Sequence, residues 1–195
     1  MEKFITFEGL DGSGKTTQAN LLKKHFESAG LEVLFLREPG TTPLGEILRD
    51  AVLKQNIEIN KVSEALLFAA ARVQLNDILR ENHKKKIIIC DRYLDSSIAY
   101  QSGGRGLSSD FIKKINEFSD TKPDITFFID ISPALSLERS LEIGNIDRIE
   151  GENLTFFTSV YETYKKLAEE NKDRIITIDG TNTIEVIHKK ILSYL

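Results

Sequence analysis

The hydrophobic residues of this chain concentrate in five short runs that are separated by longer, mixed segments. The runs are nearly continuous and rich in β-branched and aromatic residues, which is typical of strands buried on both faces of a parallel sheet. The predicted strands are Phe4–Phe7, Val33–Leu36, Ile87–Cys90, Ile125–Ile131 and Ile175–Ile178.

Between these runs, apolar residues recur every three or four positions, as they do on one face of an α-helix. In one such segment Ser63 has the residue type of an N-cap and precedes the helical pattern. The predicted helices are Gly14–Ala29, Leu44–Leu53, Ser63–Leu79, Asp110–Phe118, Pro133–Leu141, Leu154–Glu169 and Ile184–Leu192. Because strands alternate with helices, the pattern predicts an α/β fold with a doubly wound, parallel, five-stranded sheet.

We expect residues 1–195 to form a single domain, since the sequence contains neither an internal repeat nor a low-complexity tract. Two segments are glycine-bearing or polar and are predicted to be mobile loops, Gly103–Gly106 and Glu142–Glu152. The second of these belongs to a mobile lid that we expect around residues 139–152.

Composition and charge exclude several classes of protein. The chain has 26 Lys and Arg against 30 Asp and Glu, a net charge of −4, which argues against a general nucleic-acid or anionic-membrane binder. Its one cysteine, Cys90, excludes an internal disulfide. The chain starts without the pattern of a signal peptide, and no apolar run approaches the roughly 18 residues of a membrane helix. We therefore expect a cytoplasmic protein.

A glycine-rich motif follows the first predicted strand directly and matches the pattern G-x-x-x-x-G-K-[ST]. Such a loop points successive backbone N–H groups at phosphate oxygens, and the positive end of the following helix dipole adds to that field. Lys15 can reach the β- and γ-phosphates, and the Thr16 hydroxyl can bind Mg²⁺. The residues expected to bind the triphosphate are Gly9, Leu10, Asp11, Gly12, Ser13, Gly14, Lys15, Thr16 and Thr17.

Charged residues stand at the ends of two further predicted strands, where ligands bind in open α/β sheets. Asp91 and Arg92 follow the third strand, and Arg37 follows the second. Asp91 could hold Mg²⁺, and Arg92 could neutralise a phosphate during transfer, although a structural ion pair is the alternative interpretation. Because two arginines and Lys15 exceed what one triphosphate needs, they indicate a second phosphorylated ligand.

Five motifs occur in an order that resembles the bacterial thymidylate kinases over nearly the whole chain. They read FEGLDGSGKTTQ, REPG, LLFAAAR, DRYLDSSIAYQ and DRIE. The resemblance implies the fold of P-loop nucleoside monophosphate kinases and a role in dTTP synthesis. It also implies transfer of the γ-phosphate of ATP to dTMP, giving dTDP and ADP, by a homodimer that needs Mg²⁺.

The same resemblance implies roles for individual residues of a dTMP site. Phe68 would stack on thymine and Arg72 would donate to its O4. Ser97 and Gln101 would approach the N3 side, while Tyr100 would lie where a ribose 2′-hydroxyl would clash. The implied dTMP site comprises Asp11, Arg37, Phe68, Arg72, Arg92, Ser97, Tyr100 and Gln101.

Asp11 would contact the sugar 3′-hydroxyl in this assignment, and Arg37 and Arg92 would hold the acceptor phosphate. The lid offers two arginines, Arg139 and Arg148, for the donor nucleotide. Arg148 is expected to matter more because it lies in the DRIE stretch, where it would contact the transferring phosphate or flank the adenine, whereas Arg139 could be an ion-pairing helix residue. The predicted catalytic residues are Lys15, Arg92, Asp11 and Arg148; the predicted metal ligands are Thr16 and Asp91.

Two other functions remain open from the sequence. Another P-loop small-molecule kinase, such as a deoxynucleoside kinase, would need a site for an acceptor hydroxyl, for which Arg37 and Arg92 are poorly suited. A nucleotide-switched binding protein would have no second small-molecule site.

Overall fold

A computed structural model of the chain describes residues 2–54, 57–144 and 147–195. The strands are β1 (Phe4–Glu8), β2 (Val33–Arg37), β3 (Ile87–Asp91), β4 (Ile125–Asp130) and β5 (Ile175–Asp179). The helices of the first half are α1 (Lys15–Ser28), α2 (Pro43–Leu53), α3 (Lys61–Asn82) and α4 (Leu94–Ser97), which continues as a π-helical segment, Ile98–Gly104. The second half contributes α5 (Ser109–Ile115), α6 (Pro133–Ile143), α7 (Leu154–Glu170) and α8 (Ile184–Leu192).

All five strands pair in parallel, in the order β2-β3-β1-β4-β5. The central strand β1 lies between β3 and β4, so the chain builds one half of the sheet before it crosses to the other. The carboxyl ends of β1 and β3 therefore lie side by side, which is where open α/β sheets bind ligands. The predicted doubly wound fold is confirmed.

Helices cover both faces of the sheet, which explains why its strands are hydrophobic on both sides. Ile5 and Phe7 of β1 pack in one core cluster with residues of α1 and α8. Phe4 faces the other way and packs in a second cluster with residues of α3, while α7 packs on Phe128 of β4. Glu8 has the same parity as Phe4 along β1 and is also buried, so a carboxylate enters this second face.

The first turn of α3 corrects the predicted cap. Asn60 is the N-cap, and its side-chain oxygen accepts a hydrogen bond of 2.9 Å from the Val62 N–H. Ser63 lies inside the helix, because the better-placed acceptor three residues earlier already satisfies a free N–H of the first turn.

The prediction of a mobile loop at Gly103–Gly106 is wrong for its first half. Gly103 and Gly104 belong to the π-helical segment and pack against α7. A Cβ on Gly103 would lie 2.2 Å from the Thr163 hydroxyl oxygen, and one on Gly104 would lie 2.4 Å from the Phe156 ring. These glycines allow two helical segments to approach closely; they do not mark a flexible connection.

The single cysteine lies on β3 and is completely buried. Its thiol donates to the Arg92 carbonyl oxygen, and burial raises the pKa of Cys90 well above its usual value. Among the helices in the described part of the chain, none combines the length and apolar character that a membrane span requires.

The lid expected around residues 139–152 includes residues 145 and 146, which lie outside the described residues. Its described parts are the end of α6 and a turn over residues 147–152. Its mobility and the single-domain organisation stay predictions.

Candidate active site

The phosphate loop connects the carboxyl end of β1 to the amino end of α1, as the motif requires. Lys15, Thr16 and Thr17 form the first turn of α1. The Lys15 ammonium is buried and folds back over the loop, where Nζ donates to the Leu10 carbonyl oxygen over 2.6 Å. Burial, and next the charge of Arg92, lower the pKa of Lys15 to about 8 against the opposing carboxylate of Asp11. The lysine is therefore poised as a cation that a bound polyphosphate would stabilise.

The two predicted metal ligands, Thr16 and Asp91, are in direct contact. The Thr16 hydroxyl donates to a carboxylate oxygen of Asp91, the last residue of β3, over 2.5 Å. Oxygen donors of this kind suit Mg²⁺, which proteins often hold through few side chains together with phosphate oxygens. The described residues contain no group of three or more His, Cys, Asp or Glu that could hold a metal by themselves.

Arg92 is held rigidly beside the phosphate loop. Its backbone takes the left-handed conformation, with φ of 68°. Its guanidinium pairs with the Asp11 carboxylate, donates to the Gly9 carbonyl oxygen over 3.0 Å, and lies over the Tyr100 ring. Burial raises the pKa of Asp11, but the charges of Arg92 and Lys15 outweigh it and lower that pKa to about 2. Asp11 and Arg92 thus form a charged pair at neutral pH.

A second carboxylate, Glu8, supports this arrangement from below. It accepts hydrogen bonds from the Tyr93 N–H (2.7 Å), the Ser96 hydroxyl (2.6 Å) and the Tyr164 hydroxyl (2.9 Å). Burial, and next the charge of Asp95, raise the pKa of Glu8 to about 7. Glu8 therefore ties the start of the phosphate loop to the turn that carries Arg92. Sequence reasoning missed this role, for which the signal is a carboxylate that ends an otherwise apolar strand.

A cleft beside the phosphate loop contains about 680 Å³ of empty space, its open mouth included. Seven of the eight predicted dTMP residues line it: Asp11, Phe68, Arg72, Arg92, Ser97, Tyr100 and Gln101. The other lining residues are Glu38, Pro39, Arg49, Leu53, Tyr93, Ser96, Asp147, Ile149 and Glu150.

Arg72 enters this cleft from α3 as a buried and fully oriented cation. Nε donates to Glu38 over 2.7 Å, one terminal nitrogen donates to Ser97 and Asn116, and the other donates to the Tyr93 carbonyl oxygen. Burial raises the pKa of Glu38 against the opposing charge of Arg72. One carboxylate oxygen of Glu38 has no hydrogen-bond partner among the described residues. Arg72 and Glu38 thus present fixed polar groups to a ligand.

Two aromatic residues give the cleft its apolar surface. Phe68 is half-buried and packs on the core at the cleft wall, as the stacking assignment requires. The Tyr100 hydroxyl donates to Asp11 over 2.7 Å, which fixes its ring beside Arg92. Both contacts are compatible with the predicted roles, which stay predictions.

Arg37 is the predicted residue that the structure does not bring to the cleft. It is 46% exposed and pairs with Glu46 at 3.0 Å. Arg49 of α2 lines the cleft in its place and donates to the Pro39 carbonyl oxygen over 3.0 Å. Sequence reasoning missed Arg49. The only signal for it is that its helix, α2, starts shortly after the REPG motif.

The two lid arginines lie in different environments. Arg139 donates to the backbone carbonyl oxygens of Gly12 (3.4 Å) and Gly180 (3.2 Å). A Cβ on Gly12, whose φ is 69°, would lie 2.9 Å from the Arg139 Cβ. Arg148 instead binds Glu64 of α3 at 2.6 Å. In this structure Arg139, the residue expected to matter less, is the lid arginine that touches the phosphate loop.

Comparison with known proteins adds independent information. The family model described as thymidylate kinase matches residues 7–191. Proteins named thymidylate kinase from Thermosipho africanus and Fervidobacterium nodosum are both 44% identical, and each match covers 97% of this chain and 96% of the relative. A crystal structure of thymidylate kinase from Ehrlichia chaffeensis has a TM-score of 0.81 at 33% identity, covering 98% of this chain and 97% of that one.

Proposed function

Since the chain belongs to the thymidylate kinase family and is an enzyme that phosphorylates dTMP with ATP, we propose that the cleft beside the phosphate loop is its dTMP site. The observation that carries this assignment is the position of Asp11 and Arg92. They contact the phosphate loop and also line the cleft, so an acceptor phosphate there would meet the donor phosphate end-on. Nothing favours a deoxynucleoside kinase or a nucleotide-switched binding protein.

Enzymes of this family use ATP with a divalent metal, and we propose Mg²⁺ at Thr16 and Asp91. The hydroxyl and carboxylate there fit its preference for oxygen ligands. The ion, when bound, would neutralise charge on the phosphate oxygens.

The chain's own residues supply positioning and charge. The acceptor is a phosphate oxygen, which is already a nucleophile near neutral pH, so no general base is required. Lys15 holds the donor β- and γ-phosphates, and Arg92, fixed by Asp11 and Tyr100, neutralises charge between donor and acceptor. Preorganisation is the main contribution of Arg92, because its contacts with Asp11, Gly9 and Tyr100 already hold the guanidinium in place before charge develops in the transition state.

The turn over residues 147–152 covers part of the cleft, and we propose that it excludes water, which would otherwise compete as the acceptor. Ile149 and Glu150 line the cleft from this turn. We also propose that Arg139, which contacts the Gly12 carbonyl oxygen of the phosphate loop, neutralises charge on the donor phosphates. The predicted contact of Arg148 with the transferring phosphate requires that it first leave Glu64.

We further propose a cytoplasmic homodimer. Large apolar side chains are exposed on α2 and α3, two helices that pack against each other, and a partner subunit would bury them. They are Leu44, Ile47, Val62, Leu66 and Val73. Light scattering coupled to size exclusion tests this assembly, and a monomeric mass at micromolar concentration would contradict it.

A coupled assay of ADP release with a panel of nucleoside monophosphates tests the proposed site. We expect Arg92→Ala to abolish transfer, because Arg92 contacts the phosphate loop and lines the cleft. Arg37→Ala should change turnover much less, because Arg37 pairs with Glu46 outside the cleft. Arg80→Ala is the matched control, since it removes an exposed arginine that pairs with Asp120 away from the cleft. Normal turnover of Arg92→Ala would overturn the assignment of the cleft.

A further inference from the structure

Glu64, on α3, is a buried carboxylate that does not line the cleft but contacts a residue that does. It is 1% exposed. It accepts hydrogen bonds from Arg148 (2.6 Å), from Arg105 (3.1 Å) and from the side-chain nitrogen of Gln101 (3.2 Å). Glu64 thus joins the turn over residues 147–152, the end of the π-helical segment and the cleft wall.

This carboxylate is ionised at neutral pH. Burial raises the pKa of Glu64, but the hydrogen bonds from Arg105 and Arg148 and the charge of Arg105 outweigh burial and leave the pKa below its usual value. An ionised carboxylate can accept hydrogen bonds but cannot donate them. Glu64 therefore offers only acceptor atoms to the side-chain amide of Gln101.

The orientation of the Gln101 amide follows from this. The amide has a donor nitrogen and an acceptor oxygen, and only the nitrogen can pair with Glu64. The oxygen accepts no hydrogen bond from any residue in the described part of the chain, although Gln101 is 2% exposed and lines the cleft. A flip of the amide would bring its oxygen against the Glu64 carboxylate and give up the hydrogen bond from the Gln101 nitrogen, which is costly.

We propose that Glu64 is a specificity-determining positioning residue, which holds Gln101 so that its carbonyl oxygen accepts the N3 hydrogen of thymine. This inference rests on the proposed dTMP site. Thymine and uracil carry a hydrogen on N3, whereas N3 of cytosine is an acceptor. Glu64 thus selects against cytosine through Gln101, in addition to any selection by Arg72 at the neighbouring position of the base.

Glu64→Gln tests the inference, because a glutamine amide can accept or donate and so permits both orientations of Gln101. With both orientations populated about equally, dTMP affinity should fall only about twofold. Affinity for dCMP should rise at least about tenfold, since the flipped amide no longer opposes a carboxylate. The effect of Arg72 on cytosine is present in both proteins and cancels in the comparison.

The measurement is the ratio of the dissociation constants of dCMP and dTMP, by calorimetry on the full chain. Glu152→Gln is the matched control: it removes another carboxylate that pairs with Arg105 without touching Gln101, and it should keep the wild-type ratio. An unchanged ratio in Glu64→Gln, or an equal fall in Glu152→Gln, overturns the role of Glu64.

A second variant covers the case in which Glu64→Gln does not fold. Gln101→Met removes the amide and should lower the same ratio by weakening dTMP binding; a wild-type ratio would overturn the inference. Failure of the proposed function looks different, because a wild-type protein that neither binds nor phosphorylates dTMP would remove the substrate itself.

Discussion

The buried ion pair between Glu38 and Arg72 gives a quantitative prediction about stability. Their side chains are 5% and 3% exposed, and their closest charged atoms lie 2.7 Å apart. Glu38→Ala leaves Arg72 with neutral partners only, Ser97, Asn116 and the Tyr93 carbonyl. These partners accept hydrogen bonds from the guanidinium but do not neutralise its charge. We therefore expect a loss of about 3–5 kcal/mol in the free energy of unfolding.

Urea denaturation followed by circular dichroism measures this loss. With a slope of about 2 kcal/mol per molar urea, the midpoint should fall by roughly 1.5–2.5 M. Glu46→Ala is the matched control. Glu46 pairs with Arg37, which ends β2 and precedes Glu38 in the sequence, but both side chains of this pair are 46% exposed. An exposed pair of this kind contributes about 0–1 kcal/mol.

The double variant Glu38→Ala/Arg72→Met separates pairing from burial. If the unpaired charge is the cause, adding Arg72→Met should restore part of the stability that Glu38→Ala removes. Equal losses in Glu38→Ala and Glu46→Ala would refute the reasoning, since burial would then make no difference to the pair.

Further predictions concern charge and selectivity. Lys15→Ala should lower turnover by orders of magnitude with the fold intact; in the wild type, Lys15 loses its charge as pH rises through about 8, so titrations should show weaker ATP binding between pH 7.5 and 9. Because the pKa of Asp11 is lower in the folded chain than in the unfolded one, its ionised carboxylate stabilises the fold above about pH 4, and this stabilisation is lost as pH falls towards 2. Over that range the free energy of unfolding of Asp11→Asn should therefore change by about 2 kcal/mol less than that of the wild type. At saturating substrates Arg139→Ala should slow turnover more than Arg148→Ala, and the reverse order would show that the lid rearranges. The specificity constant for dUMP should be lower than that for dTMP by a factor that corresponds to the burial of one methyl group, about 1–3 kcal/mol, and the constant for dCMP should be much lower still. A specificity constant for dCMP near that for dTMP would refute the assignment of Arg72.

The fold and the phosphate loop were predictable because both rest on local patterns. Each strand is an apolar run with nearly the observed bounds, and Gly9–Thr16 carries its function in one contiguous motif. The resemblance also named seven residues of the predicted dTMP site that line one cleft in the structure. The π-helical segment was not predicted, because its glycines resemble a loop until α7 is seen to pack on them.

The supporting polar residues were unpredictable for a different reason. Glu8, Glu38 and Glu64 act through partners that lie between 34 and 156 positions away in the sequence. A single sequence can show a carboxylate that ends an apolar strand, as Glu8 does, but it does not show which distant residues that carboxylate will contact. Arg37 and Arg148 show the converse, since their motifs indicated a phosphate contact and the structure pairs each with a carboxylate instead.

The burial of Cys90 makes this chain its own reporter of folding. A thiol reagent reacts with the thiolate, and a fully buried thiol with a raised pKa reacts only when the surrounding structure opens. Because the chain has no other cysteine, the rate of labelling measures the opening of β3, which lies between β1 and β2. Asp91 ends the same strand and Arg92 follows it at the cleft. Ligand binding there should therefore slow the labelling of Cys90, and no engineered probe is needed to observe it.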